Sequence, residues 1–120
     1  MKLQFINIFF IIIVFATTAY AQEKPRKKIE EIVFKADGVC NMCKSRIEDA
    51  AIYTPGVKFA EWNKETQMLK IAFKTAKVDE ATIHKNVAAA GHDTAEEKAP
   101  KEAYDKLPGC CKYRDGVKVH

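Results

Sequence analysis

From Ile29 to Ala36 the chain is rich in Ile, Val and Phe, and Ile32 and Phe34 alternate with Val33 and Lys35, which predicts a strand with one buried face. After Asp37-Gly38-Val39 the period changes. Cys43, Ile47, Ala50 and Ala51 recur at helical spacing while Lys44, Arg46, Glu48 and Asp49 face the other way, so a helix is predicted that stops by Thr54, ahead of Pro55-Gly56. Val57 to Trp62 and Gln67 to Lys74 read as two strands joined by a hairpin at Asn63-Lys64-Glu65-Thr66, the second alternating Leu69, Ile71 and Phe73 with Lys70, Ala72 and Lys74. Val78-Asp79-Glu80 then opens a second helix with Ile83, Val87 and Ala90 on one face and Gly91 as its C-terminal cap.

Asp93 to Ala99 is polar and acidic with little β propensity, so a fourth strand there is expected to be short or missing. Pro100 to Leu107 reads as a brief helix stopped by Pro108-Gly109, followed by Cys110-Cys111 and a polar end from Lys112 to His120. The order strand, helix, strand, strand, helix and optional strand is the split βαβ arrangement of a ferredoxin-like α+β sandwich, an antiparallel sheet with two helices on one face. If the elements run up and down, one end of the sheet collects Gly38 to Cys43, the hairpin and Gly91-His92, which brings His92 toward the cysteines. Phe34, Phe59, Trp62 and Phe73 are expected in the core. His84 is expected at the surface or its boundary, and His120 in a frayed tail without a role.

The N-terminus changes the picture of where this domain works. Lys2, an apolar stretch from Ile8 to Ala16 and Ala19-Tyr20-Ala21 form the n-region, h-region and cleavage pattern of a secretory signal peptide. The apolar part falls short of the roughly 20 residues a membrane span needs, so cleavage near Ala21 is favoured over an anchor, and no stable membrane insertion is expected afterwards. Residues 22–28, with Lys24, Pro25, Arg26, Lys27 and Lys28, read as a flexible basic leader. The expected organisation is signal peptide 1–21, leader 22–28, domain 29–94 and C-terminal extension 95–120, in an exported protein that is periplasmic or secreted. Removing Lys2 with the signal peptide leaves 19 Lys and Arg against 16 Asp and Glu, too balanced to predict a nucleic-acid partner.

All four cysteines, Cys40, Cys43, Cys110 and Cys111, lie in the exported part, where disulfides can persist. They allow three fully paired connectivities, among which sequence does not choose. Cys40-Asn41-Met42-Cys43 is different in kind, because it sits where a strand turns into a helix. The free N–H groups and positive dipole end of that helix favour thiolate over thiol. Two thiolates there form an open site for soft cations such as Cu(I), and also for Zn(II) or heavier thiophilic ions. Met42 adds a thioether, read first as a flexible apolar contact.

Gly38-Val39-Cys40-Asn41-Met42-Cys43, the following helix, Pro55-Gly56-Val57, the hairpin and Ala88-Ala89-Ala90-Gly91-His92 resemble the heavy-metal-associated domain of copper chaperones, metal-pumping ATPase modules and the periplasmic mercury-binding protein. The resemblance covers about Ile29 to Thr94. It implies that Cys40 and Cys43 are metal ligands and that His92 stands at a loop position able to supply a third ligand or a supporting donor. Relatives usually carry Met-Thr before the first cysteine, where this chain has Gly38-Val39. The segment around Cys110-Cys111 resembles the double-cysteine extension of some exported members. Seven extended residues reach roughly 23 Å and an eight-residue helix about 12 Å back, so Cys110 or Cys111 can return to donate a further thiolate.

The resulting expectation is an exported metallochaperone or scavenger, not an enzyme. It would bind Cu(I) first, or Zn(II), Hg(II) or another thiophilic ion, and exchange it with a donor or acceptor such as a metal transporter. A metal-bridged dimer is compatible with this. The alternatives are a thiol-disulfide oxidoreductase using the same CxxC, although the motif lacks the aromatic-Cys-Gly-Pro-Cys of such enzymes, and a disulfide-stapled secreted domain without metal.

Overall fold

A computed structural model describes residues 28–120; the expected signal peptide and all of the leader except Lys28 lie outside the described residues. The elements are β1 (Ile29–Lys35), α1 (Asn41–Ile52), β2 (Val57–Trp62), β3 (Met68–Lys74), α2 (Glu80–Ala89) and α3 (Lys101–Asp105), followed by two short 3₁₀ turns at Gly109–Cys111 and Tyr113–Asp115. The sheet is antiparallel in the order β1-β3-β2. The fold is therefore α+β as expected. The fourth strand is reduced to one bridge, Ala36 to Thr94, because Asp93 to Ala99 turns on its own side chains instead of extending. The Thr94 hydroxyl accepts the N–H of Glu97 at 3.0 Å, and Asp93 accepts that of Ala99 at 2.7 Å.

Register decides which strand residues reach the core. Phe34 pairs with Leu69 and Ile32 with Ile71 across β1 and β3, all on the face turned to the helices. On the other side Trp62 pairs with Leu69 and Ala60 with Ile71, but the register shifts between Val57 and Phe59. That extra residue reverses the alternation. Val57 and Trp62 point inward, whereas Phe59, expected in the core, pairs with Ala72 on the open face and is 42% exposed.

The core joins these strand residues to Ile47 and Ala51 of α1 and Ile83 and Val87 of α2. Asp79 caps α2 by accepting the N–H of Thr82 at 2.8 Å. His84, expected near the surface, is instead 1% exposed, its ring 3.8 Å from that of Phe34 and its Nδ1 2.6 Å from the Thr94 hydroxyl. The turn that replaces the fourth strand supplies this polar partner, which makes the burial tolerable.

The extension is a packed part of the same unit. Tyr104, Leu107 and Cys111 belong to the core cluster. The end of the chain is tied down, since the N–H of His120 donates to Val39 O at 2.9 Å and Lys64 donates to His120 O at 3.0 Å, so the tail is not frayed as expected. Among the described residues no helix is long and apolar enough to cross a membrane.

Gly91 ends α2 with φ +107°, and a Cβ there would lie 2.8 Å from Leu107 Cδ2 and 2.9 Å from Ala103 O. The position needs glycine for its backbone and for the close approach of α3. Gly91→Ala should lower stability by about 1–3 kcal/mol in urea denaturation; unchanged stability would contradict the close docking of the extension.

Candidate metal centre

The centre is built on the loop leaving β1. Strand geometry ends at Ala36 without a neighbouring strand beyond it, so the next carbonyls need other donors. Trp62 Nε1–H donates to Ala36 O at 2.9 Å, and His92 Nδ1–H donates to Asp37 O at 2.7 Å. Lys44, beside the motif, holds α1 to the end of β2 by donating to Trp62 O at 2.8 Å and to Glu48 at 2.5 Å, while Glu48 accepts the Trp62 N–H at 2.9 Å. This lysine has a structural task and not merely a solvated one.

On that base Cys40 is the N-cap of α1, with extended backbone angles, and Cys43 lies one turn inside. All four cysteines are free thiols. Cys40 Sγ is central: it lies 3.3 Å from Cys43 Sγ, 3.3 Å from Cys111 Sγ and 3.8 Å from Cys110 Sγ. Cys110 and Cys111 sulfurs are 3.9 Å apart, and Cys110 Sγ is 3.5 Å from the Met42 thioether. Cys40, Cys110 and Cys111 form a three-sulfur group whose donor atoms all lie within 4.8 Å of one another and which Cys43 does not join; Glu80, His84 and Glu96 form a second such group away from the cysteines. Four thiols and one thioether thus converge from α1 and the first 3₁₀ turn.

Metal–sulfur bonds of roughly 2.3 Å at tetrahedral angles place sulfurs roughly 3.8 Å apart. The Cys40–Cys110 and Cys110–Cys111 separations already meet that value, and the two 3.3 Å contacts need to open by only a few tenths of an ångström. The donor set is soft throughout and fits a thiophilic cation.

His92 is placed differently. It is wholly buried, its Nδ1 holds the Cys loop through Asp37 O, and it joins no three-member donor group with the cysteines. Its Nε2 is buried without a hydrogen-bond partner. Burial, assisted by the Arg46 cation, pushes its pKa below the ordinary histidine value, so the ring is neutral. Its other face stacks on Tyr113, centroids 5.9 Å apart. Tyr113 in turn donates to Gly91 O at 2.8 Å and accepts the Asp93 N–H at 2.9 Å, while Arg114 forms a two-point ion pair with Asp93. These contacts seat Cys110 and Cys111, and the sequence reading missed them. Tyr104 and Tyr113, with cations at 112 and 114, were the available signal.

The thiols are unequal. Burial raises Cys40, but the Cys43 N–H at the helix N-terminus and the surrounding thiols outweigh it and hold it down to about 7. Burial, with competition from Cys40 and Cys43, pushes Cys111 far up, and burial also raises Cys43. Of Cys40, Cys43 and Cys111, Cys40 is therefore the first to ionise, around neutral pH.

No family model matches the sequence, and no curated protein does. Among solved structures the chain is similar to a CopZ metallochaperone at 24% identity, with a TM-score of 0.53 over 55% of this chain and 100% of that one. It is similar at 22% identity to oxidised MerP from Ralstonia metallidurans CH34, with a TM-score of 0.54 over 57% of this chain and 96% of that one. The N-terminal soluble domains of Bacillus subtilis CopA align at 26% identity with a TM-score of 0.53, over 56% of this chain and 46% of that one. The architecture is that of the heavy-metal-associated, ferredoxin-like domains.

In the reduced, metal-free protein, raising the pH from about 6 to about 8 should develop the ultraviolet absorbance of one thiolate per chain, and lowering it should reverse the change. Cys40→Ser should remove that step; its survival in the variant would show that another thiol carries the charge.

Proposed function

We propose that this chain is a soft-metal carrier that binds one thiophilic ion through Cys40, Cys43, Cys110 and Cys111 and yields it to a partner protein. The observation that supports this reading is the convergence of four free thiols around Cys40, at separations of 3.3 to 3.9 Å. Cu(I) is the first candidate, because it accepts two, three or four sulfurs and tolerates changes among them. Zn(II) would use all four thiolates in a closed tetrahedron, and Hg(II) would use fewer. Thiols release protons as the ion binds, so uptake is linked to pH.

Transfer would proceed by replacing one sulfur at a time, with an incoming thiolate from the partner displacing Cys110, the one cysteine that is not buried. The low-coordinate intermediate would remain on Cys40 and Cys43, while neutral His92 holds their loop in place. Similar solved structures include the N-terminal domain of a potential copper-translocating P-type ATPase from Bacillus subtilis, so a metal transporter is the proposed partner class. The proposed compartment is outside the cytoplasm, with 29–94 as the metal-handling domain and 95–120 completing its site. A metal-bridged dimer would require Cys110 and Cys111 to move aside. No substrate bond is broken, which makes this a carrier and not an enzyme.

A second reading, thiol-disulfide exchange, draws on the 3.3 Å contacts from Cys40 to both Cys43 and Cys111 and on its lowered pKa. Anaerobic titration of the reduced chain with Cu(I) and Zn(II), against competing chelators, separates the two. Cys40→Ser/Cys43→Ser should lose stoichiometric Cu(I) binding, and Cys110→Ser/Cys111→Ser should weaken it by about 10–100-fold. Equal binding by the first double variant would overturn the proposal, and multiple turnovers of a disulfide substrate would establish the second reading. Two permanent, inaccessible disulfides in protein isolated without reductant would instead indicate a stapled domain.

A further inference from the structure

Met42 sits at the second position of α1, 51% exposed, yet its sulfur does not point idly into water: Sδ lies 3.5 Å from Cys110 Sγ. From there the sulfur-bearing residues become steadily less exposed, through half-buried Cys110 to Cys40 at 4% and then Cys43 and Cys111 at 0%. Successive steps along that series are 3.5, 3.8 and 3.3 Å, each short enough for one ion to bind both neighbours in passing. We infer that Met42 and Cys110 form an outer, Cu(I)-selective landing position from which the ion passes inward to Cys40, a role that rests on the carrier reading above.

The chemistry of a thioether gives the position its selectivity. It is soft and neutral and suits Cu(I), whereas Zn(II) is held by thiolate, imidazole and carboxylate. It also has no proton to lose, so it can accept an ion before any neighbouring thiol has ionised. A Cu(I) ion arriving on a donor thiolate would bind Met42 Sδ as one copper–donor bond breaks. Cys110 would then bind as thiolate, its proton passing to the displaced donor. The Met42 bond would break as Cys40 Sγ binds. Copper remains in the +1 state throughout, and no electron changes hands.

The test compares the full mature chain with Met42→Leu, which keeps the apolar volume of an exposed helical position and so preserves the fold. Cu(I) is presented anaerobically as its glutathione complex, and Zn(II) is measured separately against a chromogenic chelator. The expected result is a fall of about tenfold in the rate of Cu(I) uptake with Zn(II) affinity unchanged. Selenomethionine-labelled wild-type protein frozen during uptake should show a copper neighbour at the selenium absorption edge that the labelled variant lacks and that fades as uptake completes. Unchanged uptake with no copper near selenium would overturn this role alone. A parallel loss of Zn(II) binding would overturn the selectivity. Failure of the wild-type chain to take up Cu(I) while it binds Zn(II) would overturn this inference, and failure to bind either ion would overturn the carrier reading with it.

Discussion

Two carbonyls at the end of β1 govern the rest of the molecule. Ala36 O and Asp37 O lie where the sheet has run out of strands, and each is satisfied by a buried side-chain donor, Trp62 Nε1 and His92 Nδ1. A backbone acceptor left unpaired there would cost about 1–3 kcal/mol. Pairing both fixes the path of the chain from Gly38 to Cys40 before the helix begins. Trp62 can do this only because the bulge between Val57 and Phe59 turns it inward, at the cost of exposing Phe59. The loop is thus set by β2 on one side and by the turn after α2 on the other, and Cys40 inherits a fixed place at a helix N-terminus.

The same anchoring explains why the extension docks where it does. His92, held on Asp37, presents a ring face to Tyr113, and the Tyr113 hydroxyl closes onto the backbone of Gly91 and Asp93. Arg114 adds the ion pair to Asp93 and lies over Tyr104, 4.4 Å from its centroid. A residue that the sequence offered as a ligand therefore serves both the CxxC loop and the segment carrying the other two cysteines. Burial, with the Arg46 cation, holds the ring below its ordinary pKa even though the Asp37 and Asp93 carboxylates act the other way.

The element order and the hairpin were legible because they rest on local periodicity: the alternation of Leu69, Ile71 and Phe73, the helical spacing of Cys43, Ile47 and Ala51, and Gly91 as a stop. What escaped was non-local. Strict alternation counted from Val57 puts Phe59 in the core and counted from Trp62 puts it outside, a conflict that the bulge between Val57 and Phe59 resolves in favour of Trp62. His84 reads as surface until Thr94, ten residues on, proves to be its partner. The cysteine pairs were visible as chemistry, and chain reach allowed them to meet. Their meeting depends on aromatic and ionic contacts of residues 104, 113 and 114 that carry no periodic signal.

A domain with only Cys40 and Cys43 would offer two sulfurs on an open loop. Here Cys110 and Cys111 cover that loop, and the C-terminal residue bonds to Val39 behind it. Closure raises the number of sulfurs around an ion and buries them, which strengthens holding. On the carrier reading proposed above, release would have to begin at the rim, because Cys43 and Cys111 have no solvent face. On that reading, holding and release would therefore be divided between different sulfurs of one cluster: the inner three would favour retention, and Cys110, the only cysteine that is not buried, is where a partner's thiolate would first compete.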